Sequence, residues 1–324
     1  MLTVKSQLSY PLSAELRMAI PDIKDEQPDV KLPIQMVGID GVRMPAGHVR
    51  LGDLGIFMVS RFGAFIDLPP DRRGVHASRN YEPIVEIVRA YEGKVFRLED
   101  LTAEVAVSLL KKHEYSRRSY VKADATAFYE SRMPSGRTSH ETFILHARSY
   151  ATREGDAFSL RKMVGVTVVG MTACPCALEI IKEACRKRLA DIDGEPFERV
   201  IKGLPIATHT QRCKGTLIVD VSEDSVDVMD LVKIVNDSMS SATYELLKRD
   251  DEAEVVMGAV MKPRFVEDVA RWIAKGTSEL KVRDSCAIFV RVRSMESVHG
   301  HDMVASIRTT VGEVRRALAP RWHG

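Results

Sequence analysis

Gly55-Ile-Phe-Met-Val-Ser-Arg-Phe-Gly-Ala-Phe-Ile-Asp-Leu68 is rich in β-formers and runs straight into Pro69-Pro70. That is the composition of a long strand, ended by residues that fix φ and lack an N–H donor. Two helical periods follow, Tyr81, Ile84, Val85, Val88, Tyr91 and then Leu101, Val105, Ser108, Leu109, Lys112. Asp100 or Thr102 is the expected cap of the second. Strand-like stretches come next at 120–129 and 141–153, the latter alternating less cleanly than a half-exposed strand should. A turn at Arg153-Glu-Gly-Asp156 closes this block. The same order then recurs. A long strand at 158–170 leads to a helix at 176–189, a break at Gly194 and Pro196, and a strand at 216–221. A helical stretch at 226–247, interrupted near Ser240-Ser241, leads to a helix opened by Pro263 through 274 and a strand at 286–292. Two blocks of strand, helices and strand predict a duplicated α+β unit, an antiparallel sheet with helices on one face. The predicted organisation is an extended arm over 1–33, marked by Pro11, Pro21, Pro28 and Pro33, then units at 34–155 and 156–324.

The bulk properties agree with a folded chain of two such units. Across 324 residues, 45% are hydrophobic and 28% charged, which excludes intrinsic disorder. Lys and Arg number 47 against 45 Asp and Glu, a net charge of +2, too balanced for a general nucleic-acid binder. The longest uncharged run, Met163 to Leu178, falls short of the ~18–20 apolar residues a membrane span needs. No apolar signal core precedes Pro11. Five cysteines, an odd number, point to a reduced, cytoplasmic compartment.

Chemistry-bearing residues cluster in four places. In Gly170-Met-Thr-Ala-Cys-Pro-Cys-Ala-Leu-Glu179 a strand ends and a helix begins between two cysteines. A cysteine at a helix N-terminus sits at the positive end of the macrodipole, which favours the thiolate. Small apolar core residues are the other reading of that pair. Cys185 and Cys286 read as core. Ala207-Thr-His-Thr-Gln-Arg-Cys-Lys-Gly215 packs imidazole, amide, guanidinium and ammonium groups into a few residues just before a strand. Neutral imidazole is a common metal ligand, and Arg212 and Lys214 suit phosphate, unless the segment is an ordinary solvated loop. Met295-Glu-Ser-Val-His-Gly-His-Asp302 brackets two histidines with carboxylates, a metal or acid–base pattern. On a strand His299 and His301 would share a face; in a loop they need not. Arg72-Arg-Gly-Val-His-Ala-Ser-Arg79 precedes a helix, where it can cradle an anion or merely cap the helix.

Taken in order, these segments resemble the GTP cyclohydrolase IB family, and more closely its archaeal branch. The resemblance runs from Ile20-Pro-Asp22 and Val37-Gly38 through Ile66-Asp-Leu-Pro69, Gly74-Val-His-Ala-Ser-Arg79 and Cys174-Pro-Cys176. It continues in His209-Thr-Gln-Arg212, Leu246-Leu-Lys-Arg249 with Asp251-Glu252, Pro263-Arg-Phe-Val-Glu-Asp268 and Glu296-Ser-Val-His-Gly-His301. It implies two tandem tunnelling-fold units whose barrels are completed by oligomerisation, as a homo-oligomer (dimer or tetramer). It implies GTP as substrate; the balanced charge and short apolar runs add the expectation of no nucleic-acid and no membrane partner. Fe(II) is the implied metal, with Zn or Mn as possible substitutes. Water acidified by a divalent metal would attack the guanine carbon between the imidazole-ring nitrogens, and formate would leave. The implied metal ligands are His209, His301 or its neighbour His299, and Cys174. Cys174, Glu296 and His299 are the implied catalytic groups, and Arg212, Lys214, Gln211, Glu252 and Arg79 the implied substrate contacts. The archaeal branch implies 7,8-dihydroneopterin 2′,3′-cyclic phosphate as product, early in methanopterin synthesis.

Two departures matter. Ser240-Ser-Ala-Thr-Tyr244 carries Ala242 where the bacterial family has a glutamate near the metal. Val255-Val-Met257 replaces a Val-Thr-Glu, so Glu252 or Glu254 must stand in as the guanine anchor. A bacterial-type enzyme giving 7,8-dihydroneopterin triphosphate, and a non-catalytic metal- or nucleotide-binding relative, are the competing readings. Cys174 at the strand end is expected to be the chemical cysteine, and Cys176 to act as a cap.

Overall fold

The computed structural model describes residues 22–189 and 195–319, with backbone alone at 195–197. Ile20, Pro11, Pro21 and Gly194 lie outside the described residues. The strand predicted at Gly55–Leu68 is β2 (Leu54–Leu68), paired antiparallel with β1 (Ile34–Leu51). Gly52 and Asp53 join them, with Gly52 at φ +56°, the left-handed conformation a two-residue hairpin turn requires. Sequence periodicity does not reveal β1. It lies near the sheet edge, much of it is exposed, and irregular pairing breaks its alternation.

Next come α1 (Ala77–Ala90), β3 (Val95–Phe96) and α2 (Leu98–Lys112). Neither Asp100 nor Thr102 caps α2. Arg97 holds the N-cap position without a side-chain bond, and Thr102 turns inward, its hydroxyl donating to the Glu99 carbonyl at 3.0 Å. β4 (Arg118–Arg132) and β5 (Thr138–Glu154) follow. β5 alternates cleanly after all. Ser139, Glu141, Phe143, Leu145, Ala147, Ser149 and Ala151 all point inward, and the polar ones among them hide the pattern from a hydropathy reading. A two-residue turn, Gly155-Asp156, leads into β6 (Ala157–Ala173).

The remaining elements are α3 (Pro175–Arg188), α4 (Glu195–Gly203), β7 (Thr210–Asp220), α5 (Val228–Ser238), β8 (Ser241–Ala242), α6 (Arg249–Met261), α7 (Val266–Gly276), β9 (Ala287–Ser294), β10 (Met303–Thr310) and α8 (Val311–Leu318). Two expectations are corrected here. β7 starts well before 216, so Gln211, Arg212, Cys213 and Lys214 are strand residues and not a loop. The helix expected over 226–247 stops at Ser238, and the chain then pairs as β8 with Gly170 and Met171 of β6. α6 follows as a separate helix.

Among the described residues, ten strands form one sheet in the order β10-β9-β7-β6-β5-β4-β2-β1-β3, with β8 pairing on β6. The long strands pair antiparallel; β3 alone joins in parallel, on β1. Between β2 and β4 the chain makes α1 and α2; between β7 and β9 it makes α5, α6 and α7. α2 packs over β4, β5 and β6, α5 over β6, and α7 over β9 and β10, so the core lies between the sheet and one helical layer. Its largest wholly buried side chains include Phe62, Phe143, Leu109, Leu145, Leu217 and Leu231. Burying side chains of this size contributes roughly 1.5–3 kcal/mol each. No helix among the described residues covers the opposite face of the sheet. That face carries Tyr120, Lys122, Asp124, His146, Arg148 and Tyr150, the residues between the buried ones. No helix among the described residues is long and apolar enough to cross a membrane.

Candidate active site

Antiparallel pairing brings the end of β6, the start of β7 and the end of β9 to one end of the sheet, since Ala173 pairs with Thr210 and Cys213 with Ser294. Three of the four sequence clusters therefore meet there. Cys174 follows β6, His209 precedes β7, and the loop 295–302 joins β9 to β10.

Cys174 is held from both sides. Its backbone N–H donates to the His209 carbonyl at 3.1 Å, and the Thr208 hydroxyl donates to the Cys174 carbonyl at 2.8 Å. It is also the N-cap of α3, its Sγ accepting from the Ala177 N–H at 3.4 Å, with Pro175 opening the helix. The capping role expected of Cys176 therefore belongs to Cys174, and Cys176 is exposed in the first turn.

His209 is half-buried, and its Nδ1 lies 2.8 Å from Gln211 Oε1. Gln211 Nε2 donates to Thr172 Oγ1 at 3.0 Å, and Thr172 Oγ1 lies 3.2 Å from Ser294 Oγ. Ser297 Oγ reaches Gln211 Oε1 at 3.5 Å. Thr172, Ser294 and Ser297 were not singled out in the sequence. Their one local signal is position, as each sits within two residues of a motif or inside it. Met295 N–H donates to the Arg212 carbonyl at 2.9 Å, and Arg293 Nε donates to Asp302 at 2.7 Å, which closes the loop base. His299 and His301 lie in that loop and not on a strand, yet their rings stack with centroids 5.3 Å apart, both exposed. Glu296 is half-buried. Cys213 is buried, and that burial, with the Glu296 carboxylate nearby, pushes its thiol up to about 12, so it stays a protonated core residue.

The predicted substrate contacts do not all join this group. Gln211 and Cys213 point to the helix-covered face, so Arg212 and Lys214, between and after them, point to the uncovered face. Arg79 sits in the first turn of α1, after the far end of β2, at the opposite end of the sheet from Cys174. Arg79, Arg212 and Lys214 are exposed, and none has an ion-pair partner among the described residues. Glu252 is exposed in the first turn of α6. That helix is anchored at the same end of the sheet as Cys174. Buried Asp251 accepts from Ser135 N–H at 3.0 Å and Arg137 Nη1 at 3.1 Å at the β4–β5 turn.

Among the described residues, one group of His, Cys, Asp or Glu ligand atoms lies within 4.8 Å of one another: Asp22, Asp25 and His76. Arg72 pairs with Asp25 there, and Arg73 with Glu26 at 3.1 Å, which fastens residues 22–26 to the approach to α1. Cys174, His209, His299 and His301 belong to no group that tight. They do supply soft sulfur and imidazole nitrogen from three adjacent strand ends, a donor set that suits Fe or Zn. His209 Nε2 makes no hydrogen bond among the described residues and is free for a ligand.

Residues 20–305 match the family described as Type I GTP cyclohydrolase folE2. A GTP cyclohydrolase MptA of Methanothermobacter thermautotrophicus is 38% identical over 304 residues, covering 92% of this chain and 96% of its own. Its counterpart in Methanococcus vannielii is 34% identical over 310 residues, covering 93% and 99%. Among solved structures, a uricase from Bacillus fastidious aligns over 89% of this chain and 97% of its own, at a TM-score of 0.47 and 9% identity, too slight a likeness to assign a fold.

Proposed function

Because the chain belongs to the type I GTP cyclohydrolase family, and is thus a GTP cyclohydrolase, we propose that it is a metal-dependent enzyme giving 7,8-dihydroneopterin 2′,3′-cyclic phosphate, formate and pyrophosphate, early in methanopterin synthesis. The likeness to proteins named GTP cyclohydrolase MptA supports that product. The observation that carries the metal reading is the meeting of Cys174, His209 and the loop 295–302 at adjacent ends of β6, β7 and β9.

His209, His301 or His299, and Cys174 would hold the ion, Fe(II) natively, with Zn or Mn as substitutes. When bound, it supplies a Lewis acid that acidifies water for attack on the guanine carbon between the imidazole-ring nitrogens. Glu296 would accept and return the proton as the ring opens, assisted by whichever loop histidine is not a ligand, and a second water would release the resulting formyl group as formate. Glu252 anchors the base in place of the absent carboxylate at Met257. Arg212 and Lys214, which have no ion-pair partner among the described residues, would take the triphosphate from the uncovered face of the sheet.

The fold proposal is two tandem tunnelling-fold units, 34–155 and 156–324, behind an arm at 1–33, assembling as a homo-oligomer. The recurring order of antiparallel strand pair, helices and antiparallel strand pair supports it. Arg79 would then serve the site of a second copy, which accounts for its place at the far end of the sheet. With all five cysteines free, a cytoplasmic location remains part of the proposal.

The test is anaerobic incubation with GTP and Fe(II), with products identified by mass. The cyclic phosphate with formate is expected. Dihydroneopterin triphosphate with formate would make it a bacterial-type enzyme, and unaltered GTP a binding protein.

A further inference from the structure

We infer that Gln211 is a positioning residue that sets the tautomer of His209, and not a substrate contact; this rests on the reading of His209 as a metal ligand. The Gln211 amide has no free end. Its Oε1 faces His209 Nδ1 at 2.8 Å and Ser297 Oγ at 3.5 Å, and its Nε2 donates to Thr172 Oγ1 at 3.0 Å. Thr172 is itself fixed, buried on β6 and 3.2 Å from Ser294 Oγ on β9. One side chain on β7 thus ties together the strand before Cys174, the imidazole of His209 and the loop that carries Glu296, His299 and His301.

The tautomer follows from the amide orientation. An amide oxygen can only accept, so His209 Nδ1 must carry the proton and donate it to Oε1. Nε2 is then left with a bare lone pair and no protein partner. In the opposite orientation the amide nitrogen would face Nδ1. Nδ1 would be bare, Nε2 protonated, and the nitrogen free for a metal would lack its lone pair. Hydroxyl partners tolerate either orientation, so the histidine tautomer itself is the deciding observable. A hydrogen bond from the distal imidazole N–H is the arrangement that orients metal-binding histidines and raises their basicity.

The experiment uses the full chain, metal-free at pH 8. Imidazole nitrogen resonances are read by long-range 15N–1H NMR and assigned with His209→Asn. Zn(II) affinity is read by competition with a chromophoric chelator, for the parent, Gln211→Leu and Gln211→Glu. We expect His209 in the Nδ1–H form in the parent and in Gln211→Glu, whose carboxylate still accepts. Gln211→Leu should show mixed tautomers and Zn(II) binding about 10- to 100-fold weaker, with Gln211→Glu restoring affinity. A merely structural role for Gln211 would lower the thermal midpoint in both variants without separating them in affinity. An Nε2–H tautomer in the parent, or parental affinity in Gln211→Leu, overturns the role assigned to Gln211. A parent that binds no Zn(II) overturns the metal reading beneath it, whatever the tautomer.

Discussion

Cys174 carries two roles that different substitutions separate. Its sulfur accepts from Ala177 N–H as the cap of α3, and it faces His209 across the strand ends. Cys174→Ser keeps a capping acceptor and should hold the parental thermal midpoint while losing formate release. Cys174→Ala should lose both, the cap contributing about 1 kcal/mol. Cys176→Ala, at an exposed position, should change neither. Full turnover in Cys174→Ser would remove sulfur from the chemistry. Arg212 makes a second test at this scale. A charge-assisted contact is worth roughly 1.5–3 kcal/mol, and about 1.4 kcal/mol is tenfold. Arg212→Ala should therefore raise the KM for GTP about tenfold or more, and unchanged steady-state kinetics would exclude it from phosphate binding. These residue types were legible in the sequence because a thiol beside a proline or a run of cation, amide and imidazole is unusual at any position. Their partners were not, since Thr172, Ser294 and Ser297 are ordinary residues until pairing sets them beside Gln211.

Elements differ in how much they reveal of themselves. β2 and β6 were plain because β-formers fill both faces. β5 was blurred by Ser139, Glu141 and Ser149 at inward positions, where Ser139 Oγ donates to Glu141 at 2.5 Å and Glu141 accepts from Glu245 N–H at 3.1 Å. The start of β7 looked like a loop because one of its faces serves the candidate site and the other is uncovered, so neither is apolar. The sequence pattern gives no sign of α6. Among its buried residues are Asp251, Val255, Ala259 and Val260, and it is docked by a carboxylate as much as by an apolar stripe. That gives a direct comparison. Asp251→Ala should lower the thermal midpoint by stranding Ser135 N–H and Arg137 at the β4–β5 turn, while Asp250→Ala, at a carboxylate 63% exposed, should leave it in place. Equal midpoints would mean that α6 docks without its buried acid.

At the scale of the molecule, a polar ladder crosses the uncovered face where the two halves join. Asp124 on β4 meets His146 Nδ1 on β5 at 2.6 Å, His146 Nε2 meets Thr167 on β6 at 2.7 Å, and Thr167 meets Thr216 on β7 at 2.8 Å. Arg148 donates to the same Asp124 oxygen at 2.6 Å. Burial alone would raise the Asp124 carboxyl, but His146 and Arg148 together bring it down to about 2. A carboxylate whose folded value lies below its unfolded one stabilises the fold above the unfolded value, near 3.8, and loses that contribution as pH falls through about 2. Asp124→Asn should therefore be less stable than the parent at pH 6 and show a flatter fall between about pH 4 and 2. Parallel urea-midpoint curves for the two proteins across that window would show that the ladder contributes nothing to acid stability.

The sequence alone reveals which chemical groups the chain possesses, several of its long strands and helices, and the family. Each of these is written in local residue types and spacings. It could not determine who faces whom. Consecutive strand residues point to opposite sides of a sheet, so His209 and Gln211 lie on the helix-covered face and Arg212 on the other, although the sequence sets them side by side. Antiparallel pairing joins residues far apart in the chain, so Cys174 meets His209 while Arg79 is carried to the far end. Register is a property of strand pairing, and only the folded sheet fixes it.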